Sequence, residues 1–448
     1  MTQQKSKFFT ASVKSHFILA ACVALAACSP ASTVNESSQQ ISTSSAALQF
    51  AAPEEVGMDS ARLDRVTQTM QGYVDDGLLA GVVTMVARDN KIVHFESVGF
   101  RDIEAEATMT NDALFRIYSM TKPITGVAMM ILYEEGKFRL SDPVEKYIPE
   151  FANLQVAAGE DADGNLITEP QNHKMTIREL MSHSGGLSYG LFSQSKVDDM
   201  YNEVNVLDPD SNLQDMIDKL AALPLRQQPG SMWHYSVSVD VQGYLVEKLS
   251  GQGFGEFLEE RIFEPLGMTD TDFYVPEEKA SRFAQVYGYA PNGDLVAQEA
   301  FGGTNDYLVD QEFESGGGGL VSSTMDYMRF AQMVLNGGIL DGERILAPLT
   351  VDIMHRNQLP KSVAGIGLGA RGTTFGLDFA IIEDPVEAES YSKGEFYWGG
   401  AAGTWFWIDP VENLVFVGMI QQFGGAVPVP DVRGSSRRMV YQAIMVPK

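Results

Sequence analysis

The chain has 448 residues and a formal charge of −27, because 59 acidic side chains outnumber 32 basic ones. A composition that is 44% hydrophobic and 20% charged is typical of a globular protein with a large core, and it excludes disorder for most of the chain. The acidity argues against nucleic-acid binding, which needs a basic face, and only one apolar run approaches membrane length.

The N-terminus has the pattern of an export signal. Three lysines precede an apolar run at residues 17–27, which is too short for a good transmembrane helix. The ending Leu25-Ala26-Ala27-Cys28 resembles the lipobox of bacterial lipoproteins. This resemblance implies lipidation of Cys28 and a lipid anchor as the only membrane contact, at the cell envelope (outer membrane or periplasm). An ordinary cleaved signal, giving a periplasmic or secreted protein, is the alternative.

Cysteine usage and composition then separate the N-terminal segments from a folded body. Residues 1–27 are predicted to be the signal peptide, and residues 28–50, rich in Ser and Thr, a flexible tether. The two cysteines of the chain are Cys22 and Cys28, so the predicted body has neither a disulfide nor a cysteine nucleophile. Its stability must come from burial of a core.

The body begins with a predicted helix, two strands and a second helix. Apolar residues recur at helical spacing over residues 58–74. Residues 81–87 and 92–98 predict strands joined by a turn at Asp89-Asn90. Residues 120–135 are apolar on nearly every side, which predicts a buried helix that ends at Gly136.

The middle third is predicted to be helical, and strands return near the C-terminus. Residues 404–408 and 414–420 predict two strands, and residues 431–446 a last helix. Strands at both ends with helices between them predict an α/β fold of the α+β type, whose central antiparallel sheet is built from both termini and flanked by helices. The predicted domains are a sheet domain of residues 51–115 and 270–448 and an inserted, mainly helical domain of residues 116–269.

Ser119 and Lys122 open the buried helix and form a candidate catalytic pair. Residues three apart share a helix face, so the lysine amine can reach the serine hydroxyl and take its proton. Pro123 is tolerated only in the first turn of a helix, which places Ser119 at the helix start, where free N–H groups favour an oxyanion. A helix-capping serine followed by a surface lysine is the alternative.

Two further segments are weak signals when taken alone. Tyr235-Ser236-Val237 precedes a predicted helix, and a phenol beside a lysine can act as base and then acid. Trp398-Gly399-Gly400-Ala401 leads into a strand, where glycines allow a ligand to approach the backbone and an N–H to complete an oxyanion hole. An ordinary loop tyrosine and an ordinary glycine-rich loop are the alternatives.

The order and spacing of these motifs resembles the serine β-lactamase and penicillin-binding-protein superfamily, and most closely the class C β-lactamase-related carboxylesterases of family VIII. The resemblance extends over roughly residues 53–445 through further segments, which are residues 176–187, 229–230, 235–251 and 265–268. It implies a β-lactamase/transpeptidase-like fold and acylation of Ser119, with Lys122 and Tyr235 as general bases. It also implies an oxyanion hole made by the N–H groups of Ser119 and Ala401.

Two departures from the β-lactamase pattern favour esters over antibiotics. Val237 stands where β-lactamases carry an asparagine for the substrate amide, and Trp398-Gly399-Gly400 stands where Lys-Thr-Gly meets the substrate carboxylate. A site without these polar groups offers an aromatic wall instead. We therefore expect a serine carboxylesterase whose small-molecule ester substrate, with a small or medium acyl chain, contacts Trp398, Gly399, Gly400 and Val237.

Two other functions remain open at this point. One is a β-lactamase or D-Ala-D-Ala carboxypeptidase, which would be acylated by penicillin and would turn over cell-wall peptides. The other is a lipoprotein that keeps the fold for binding and has no activity. Reactivity of Ser119 towards a phosphonate ester separates an active site from an inactive one.

Several other residues imitate functional motifs. Residues 186–190 fit G-x-S-x-G, but a nucleophile elbow needs a strand before Ser188, and a helix is predicted there. His183 and His234 are interpreted as loop or interface histidines. Asp161, Asp163 and Asn165 match the start of a calcium-binding loop, but Leu166 occupies the position that requires glycine. With no H-E-x-x-H pattern, we expect neither a catalytic metal nor a cofactor.

Overall fold

The structure, a computed structural model, describes residues 48–192, 194–298, 307–367, 370–424 and 430–448. These residues belong to one compact unit, Ser44–Lys448. The predicted signal peptide, Cys28 and most of the predicted tether lie outside them. None of the described helices is long and apolar enough to span a membrane.

The strands and helices of these residues form runs of strands at both ends and a run of helices in the middle. The strands are β1 (Gln49–Phe50), β2 (Gly81–Arg88), β3 (Lys91–Asp102), β4 (Ala107–Thr108), β5 (Leu114–Arg116), β6 (Gln155–Glu160), β7 (Leu166–Pro170), β8 (Tyr287–Tyr289), β9 (Leu295–Ala297), β10 (Val321–Ser323), β11 (Ile339–Leu340), β12 (Glu343–Arg344), β13 (Thr373–Phe375), β14 (Ala380–Ile382), β15 (Phe396–Gly399), β16 (Trp405–Asp409) and β17 (Leu414–Met419). The helices are α1 (Ser60–Leu63), α2 (Arg65–Asp75), α3 (Thr121–Glu134), α4 (Ile177–Met181), α5 (Lys196–Glu203), α6 (Leu213–Ala221), α7 (Ser238–Ser250), α8 (Phe254–Leu258), α9 (Glu264–Leu266), α10 (Thr324–Leu335), α11 (Pro348–Met354) and α12 (Val432–Tyr441).

A central sheet joins the two ends of the described chain. Its strand order is β1-β3-β2-β17-β16-β15-β14-β13, with β4 paired to β3. The C-terminal strand β17 lies antiparallel to β2, with Val417 opposite Met85. Only the two-residue strand β1, which ends the predicted tether, pairs in parallel among these strands. The predicted fold class, a central sheet built from both termini, is therefore confirmed.

Both faces of the sheet are covered by helices. Strand β2 is buried along its whole length, and its residues alternate between two cores. Val83 and Met85 belong to the larger core with α3, α7 and α10, whereas Val82 and Val86 belong to the smaller core with α2 and α12. Because successive strand residues point to opposite faces, a two-sided burial explains why this segment is a continuous apolar run.

The predicted elements near the N-terminus match the structure with two adjustments. The helix expected over residues 58–74 is divided at Asp64 into α1 and α2, and the Asp59 carboxylate caps α1 by accepting the Arg62 N–H. The turn at Asp89 and Asn90 has φ angles of 55° and 60°, which these two residue types tolerate well. The strands on either side extend beyond their predicted ends.

The middle and the C-terminus differ more from expectation. The predicted helical middle contains a hairpin of β6 and β7, whose mostly exposed residues lack the alternation that identifies a strand in sequence. The last helix ends at Tyr441 rather than at residue 446. Helix α3 agrees with the sequence, since its first twelve residues are all buried.

The buried histidine of strand β3 should make the fold sensitive to acid. Burial lowers the pKa of His94 to about 4, while its Nε2 shares a 2.8 Å hydrogen bond with Thr84 Oγ1. The unfolded chain, with an ordinary histidine pKa near 6.5, binds this proton first, so stability falls as the pH drops from about 6.5 to 4. In His94→Gln we expect this loss to shrink by about 3 kcal/mol, measured by urea unfolding at pH 7 and pH 4. An unchanged pH dependence would contradict the assignment.

Candidate active site

Ser119 lies in a tight turn between strand β5 and helix α3. This 3₁₀ turn spans Tyr118–Met120, and Tyr118 has a φ of 43°, an uncommon backbone conformation for a bulky residue. Pro123 occupies the third position of α3, as its missing N–H requires. The strained turn therefore directs Ser119 into the space before the helix and leaves Lys122 in its first turn.

Two side chains, those of Tyr235 and Lys122, meet at the Ser119 hydroxyl. Tyr235 donates a hydrogen bond of 2.7 Å to Ser119 Oγ, and Lys122 Nζ lies 3.3 Å from the same oxygen. Trp398 Nε1–H in turn donates to Tyr235 Oη at 3.3 Å. The structure thus brings together four residues that the sequence placed in three separate motifs.

The amine of Lys122 is fully buried and has three acceptors around it. Besides Ser119 Oγ, it donates to Gly317 O at 2.5 Å and to Tyr189 Oη at 3.2 Å. Three acceptors match the three N–H groups of an ammonium, so the buried charge is fully hydrogen-bonded. The alternative of a surface lysine after a capping serine is therefore wrong.

Of the two tyrosines beside Lys122, it is Tyr189 whose phenol is hydrogen-bonded to the amine. The Tyr235 ring instead presents its face to the amine, with Lys122 Nζ 4.6 Å from the ring centroid. Burial raises the pKa of Tyr189 well above its usual value, so its phenol is neutral at pH 7. The sequence interpretation missed Tyr189, although it stands next to Ser188 in a motif that was considered, and it missed Gly317 in the run Gly316–Gly319.

The glycine-rich turn after strand β15 lies against the segment that carries the nucleophile. A side chain at Gly400 would place its Cβ 2.5 Å from the carbonyl oxygen of Ile117, which only glycine avoids. Thr404 Oγ1 donates to that same carbonyl at 3.3 Å. Ala401 follows Gly400, and its N–H donates to no other described residue, which leaves it free for an oxyanion.

The remaining predicted substrate contacts divide into two groups. Trp398 is half-buried and its ring lies 5.4 Å from that of Tyr235, so it forms part of the wall. Gly399 is packed against the Arg433 guanidinium. Val237 precedes helix α7 as its N-cap, and its side chain is fully buried in the larger core, so it is not presented to the site.

An aromatic wall surrounds the hydroxyl cluster. The rings that contact the Tyr235 ring lie at centroid distances between 4.9 and 5.9 Å, and they belong to His183, Tyr189, Phe192, Trp233 and Trp398. Phe192 is 53% exposed, whereas Trp233 is buried. The wall therefore runs from the interior to the protein surface and is largely apolar.

Ser188 of the G-x-S-x-G motif is fully buried, and its hydroxyl is hydrogen-bonded to groups that hold the fold together. It donates to the Asp198 carboxylate and shares a 3.3 Å hydrogen bond with His234 Nε2. Burial lowers the pKa of His234 to about 4, so the imidazole is neutral at pH 7. Since Ser188 precedes Tyr189 and His234 precedes Tyr235, these bonds hold together the two loops that carry the phenols.

The other imitated motifs have equally local roles. His183 is buried, and burial together with the Lys122 charge lowers its pKa well below the usual value. Asp161 accepts the N–H groups of Asp163 and Asn165 within its own turn. In the described parts of the chain, no group of three or more His, Cys, Asp or Glu side chains could hold a metal ion.

Comparisons with known proteins agree on one family. The family model for beta-lactamase matches residues 66–435. Protein Rv1367c of Mycobacterium tuberculosis is 36% identical over 80% of this chain and 90% of its own. Esterase EstB of Burkholderia gladioli is 31% identical over 78% of this chain and 86% of its own. The solved structure of EstCE1, a hydrolase with promiscuous acyltransferase activity, covers 86% of this chain and 99% of its own, with a TM-score of 0.71 at 24% identity.

The two serines can be distinguished by their reactivity towards a fluorophosphonate. We expect one adduct on Ser119, because it alone of the two has a buried amine beside it, and we expect no adduct in Ser119→Ala. Ser188→Ala should keep the adduct and lose about 1–3 kcal/mol of unfolding free energy, since the buried Asp198 and the half-buried His234 each lose a hydrogen bond. Intact-mass and peptide mass spectrometry locate the adduct. Labelling at Ser188 would reverse the assignment.

Proposed function

This chain belongs to the beta-lactamase family, and we propose that it is a serine carboxylesterase that forms an acyl-enzyme on Ser119. The observation that carries the proposal is the position of Ser119 Oγ, within 2.7 Å of Tyr235 Oη and 3.3 Å of Lys122 Nζ. A serine hydroxyl becomes a nucleophile when a neighbouring group takes its proton, and both neighbours can carry one. The likeness to Esterase EstB supports an esterase activity.

The reaction then has two halves, acylation and deacylation, and the same side chains transfer the protons in both. In the first, the Lys122 amine is in its neutral form, and the proton of Ser119 passes to the Lys122–Tyr235 pair while Ser119 Oγ bonds to the ester carbonyl carbon. The carbonyl oxygen becomes an oxyanion that the N–H groups of Ser119 and Ala401 stabilise, and the alcohol leaves with the proton. In the second half, water loses a proton to the pair and attacks the acyl carbon. The acid is released and Ser119 regains its proton.

The substrate class follows from what surrounds the hydroxyl. The aromatic wall supplies apolar contact area, and its exposed end at Phe192 gives an acyl chain a surface to lie on. Trp398 stands at the position where a lysine would attract a carboxylate, and its N–H is already bonded to Tyr235. These features favour neutral esters with small to medium acyl chains over anionic substrates.

A β-lactamase or D-Ala-D-Ala carboxypeptidase is the alternative within the same family. A relative from Salmonella agona that is 26% identical over 83% of this chain is named a putative carboxypeptidase of that kind. Such a function needs a group for the substrate carboxylate. The predicted contacts Val237, Trp398 and Gly399 supply no charge, which is why we favour the esterase.

A substrate panel tests the choice. We expect the folded protein to hydrolyse p-nitrophenyl acetate and butyrate with at least about 100-fold higher kcat/KM than nitrocefin, because a missing polar contact costs about 1–3 kcal/mol each. Ser119→Ala should abolish ester hydrolysis. Faster turnover of nitrocefin or of D-Ala-D-Ala peptides than of the esters would favour the alternative.

We propose further that the chain is an exported lipoprotein anchored at Cys28. The support is the lipobox-like ending of an apolar N-terminal run. In a bacterial host fed labelled palmitate, the wild-type chain should carry the label and sediment with membranes. Cys28→Ala should lose both properties while keeping its esterase activity. An unlabelled wild-type chain would point to an ordinary signal peptide.

A further inference from the structure

A run of glycines lies along the first turns of the nucleophile helix. The Gly317 carbonyl accepts from Lys122 Nζ at 2.5 Å, and the Gly316 carbonyl accepts from Thr125 Oγ1 at 2.8 Å. The Leu320 N–H donates to Thr121 Oγ1 at 3.2 Å. Three successive contacts therefore tie this run to α3, and one of them ends on the amine.

A buried carboxylate holds the run from the other side. Asp240 Oδ1 accepts the Gly317 N–H at 3.0 Å and the Ser315 hydroxyl at 2.5 Å. Asp240 is fully buried in the first turn of α7, five residues after Tyr235. A Cβ at Gly317 would lie 2.4 Å from Asp240 Oδ2, so only glycine permits this approach.

The Gly317 carbonyl constrains the amine in both of its protonation states. An ammonium donates three hydrogen bonds, to Gly317, Ser119 and Tyr189. A neutral amine has two N–H groups and one lone pair. A carbonyl oxygen can only accept, so one N–H stays on Gly317 and the lone pair is confined to the side of the two hydroxyls. That is the orientation in which the amine can take the Ser119 proton.

We propose that Asp240 is a positioning residue for the reaction, because by fixing Gly317 it orients the amine of Lys122 towards Ser119. The role rests on the proposed function of Ser119 as nucleophile. Asp240 touches neither the serine nor the space in front of it. The carboxyl also interacts electrostatically with the buried Lys122, whose charge opposes the effect of burial on the pKa of Asp240.

Burial shifts the pKa values of other buried groups beside the amine towards their neutral forms, and among the described carboxyls there it is Asp240 that is hydrogen-bonded to the glycine run. Burial raises the pKa of Asp378 well above its usual value and lowers that of His183 well below it. Burial also raises the pKa of Asp240, against the opposing effects of Lys122 and of its two hydrogen-bond donors. The titratable groups around the amine are Asp240, Asp378, His183, Tyr189 and Tyr235.

Asp378 provides a matched control. It is as fully buried as Asp240 and also has one hydrogen-bonded oxygen, which accepts from Gln242 Nε2 at 3.0 Å. It makes no hydrogen bond to the glycine run. Burial favours the neutral form of the Asp378 carboxyl, and Asp378→Asn is a change of the same shape at an equally buried site outside the glycine run, whereas Asp240→Asn alters the group that holds Gly317.

The experiment compares Asp240→Asn, Asp240→Ala and Asp378→Asn with the wild-type chain. We expect kcat for p-nitrophenyl butyrate and the fluorophosphonate labelling rate of Ser119 to fall about 100-fold in Asp240→Ala, with KM changed less than about threefold. In Asp240→Asn the amide oxygen still accepts from Gly317, so the rate should fall less. Its acidic limb of kcat/KM against pH should move to lower pH by about one unit, because the ammonium has lost a carboxylate. Asp378→Asn should show neither change.

Each outcome either supports or overturns the positioning role of Asp240 or the proposed function of Ser119. Thermal unfolding is measured in parallel, and if Asp240→Ala does not fold, the pH profile of Asp240→Asn remains as the test. Wild-type rates together with a wild-type pH profile in Asp240→Asn would overturn the positioning role while leaving the proposed function intact. Equal losses in Asp240→Asn and Asp378→Asn would also overturn it, since a general loss of packing would then suffice. Absence of labelling in the wild-type chain would overturn the proposed function itself.

Discussion

The structure depends above all on a lysine amine that is taken out of water. A buried ammonium is stable only when every N–H has an acceptor, and Lys122 obtains its three from segments far apart in the chain: its own turn, the loop before α5 and the glycine run before β10. The aromatic rings around it exclude solvent but accept few hydrogen bonds. The geometry of the site is therefore fixed by the need to satisfy one cation.

The sequence predicted the parts of this arrangement that rest on local periodicity. The sheet could be inferred from apolar runs at both ends, and the Ser119–Lys122 proximity from a spacing of three on a helix. Tyr189 and Gly317 could not be inferred in this way, since their contact with the amine bridges long stretches of chain and follows no repeat. The exposed hairpin β6–β7 was missed because it contributes little to any core.

The G-x-S-x-G motif at residues 186–190 has a structural role rather than that of a nucleophile. Ser188, Asp198 and His234 are the residue types of a catalytic triad, yet the serine is bonded directly to the carboxylate and is sealed from solvent. The position of these polar residues explains their role, because each of two of them directly precedes a tyrosine of the site. Tyr189 follows Ser188, and Tyr235 follows His234. The same polar residues that would activate a nucleophile elsewhere here fix the separation of two loops.

The strand order of the sheet has a consequence for how the protein matures. Strand β17, close to the C-terminus, lies in the middle of the sheet between β2 and β16, and the turn that carries Ala401 belongs to the same late segment. Until β17 has paired with β2, the edge of β2 that faces it stays unpaired. The turn that carries Ala401 is held by the same late strands, so the proposed oxyanion site requires both ends of the sheet to have come together.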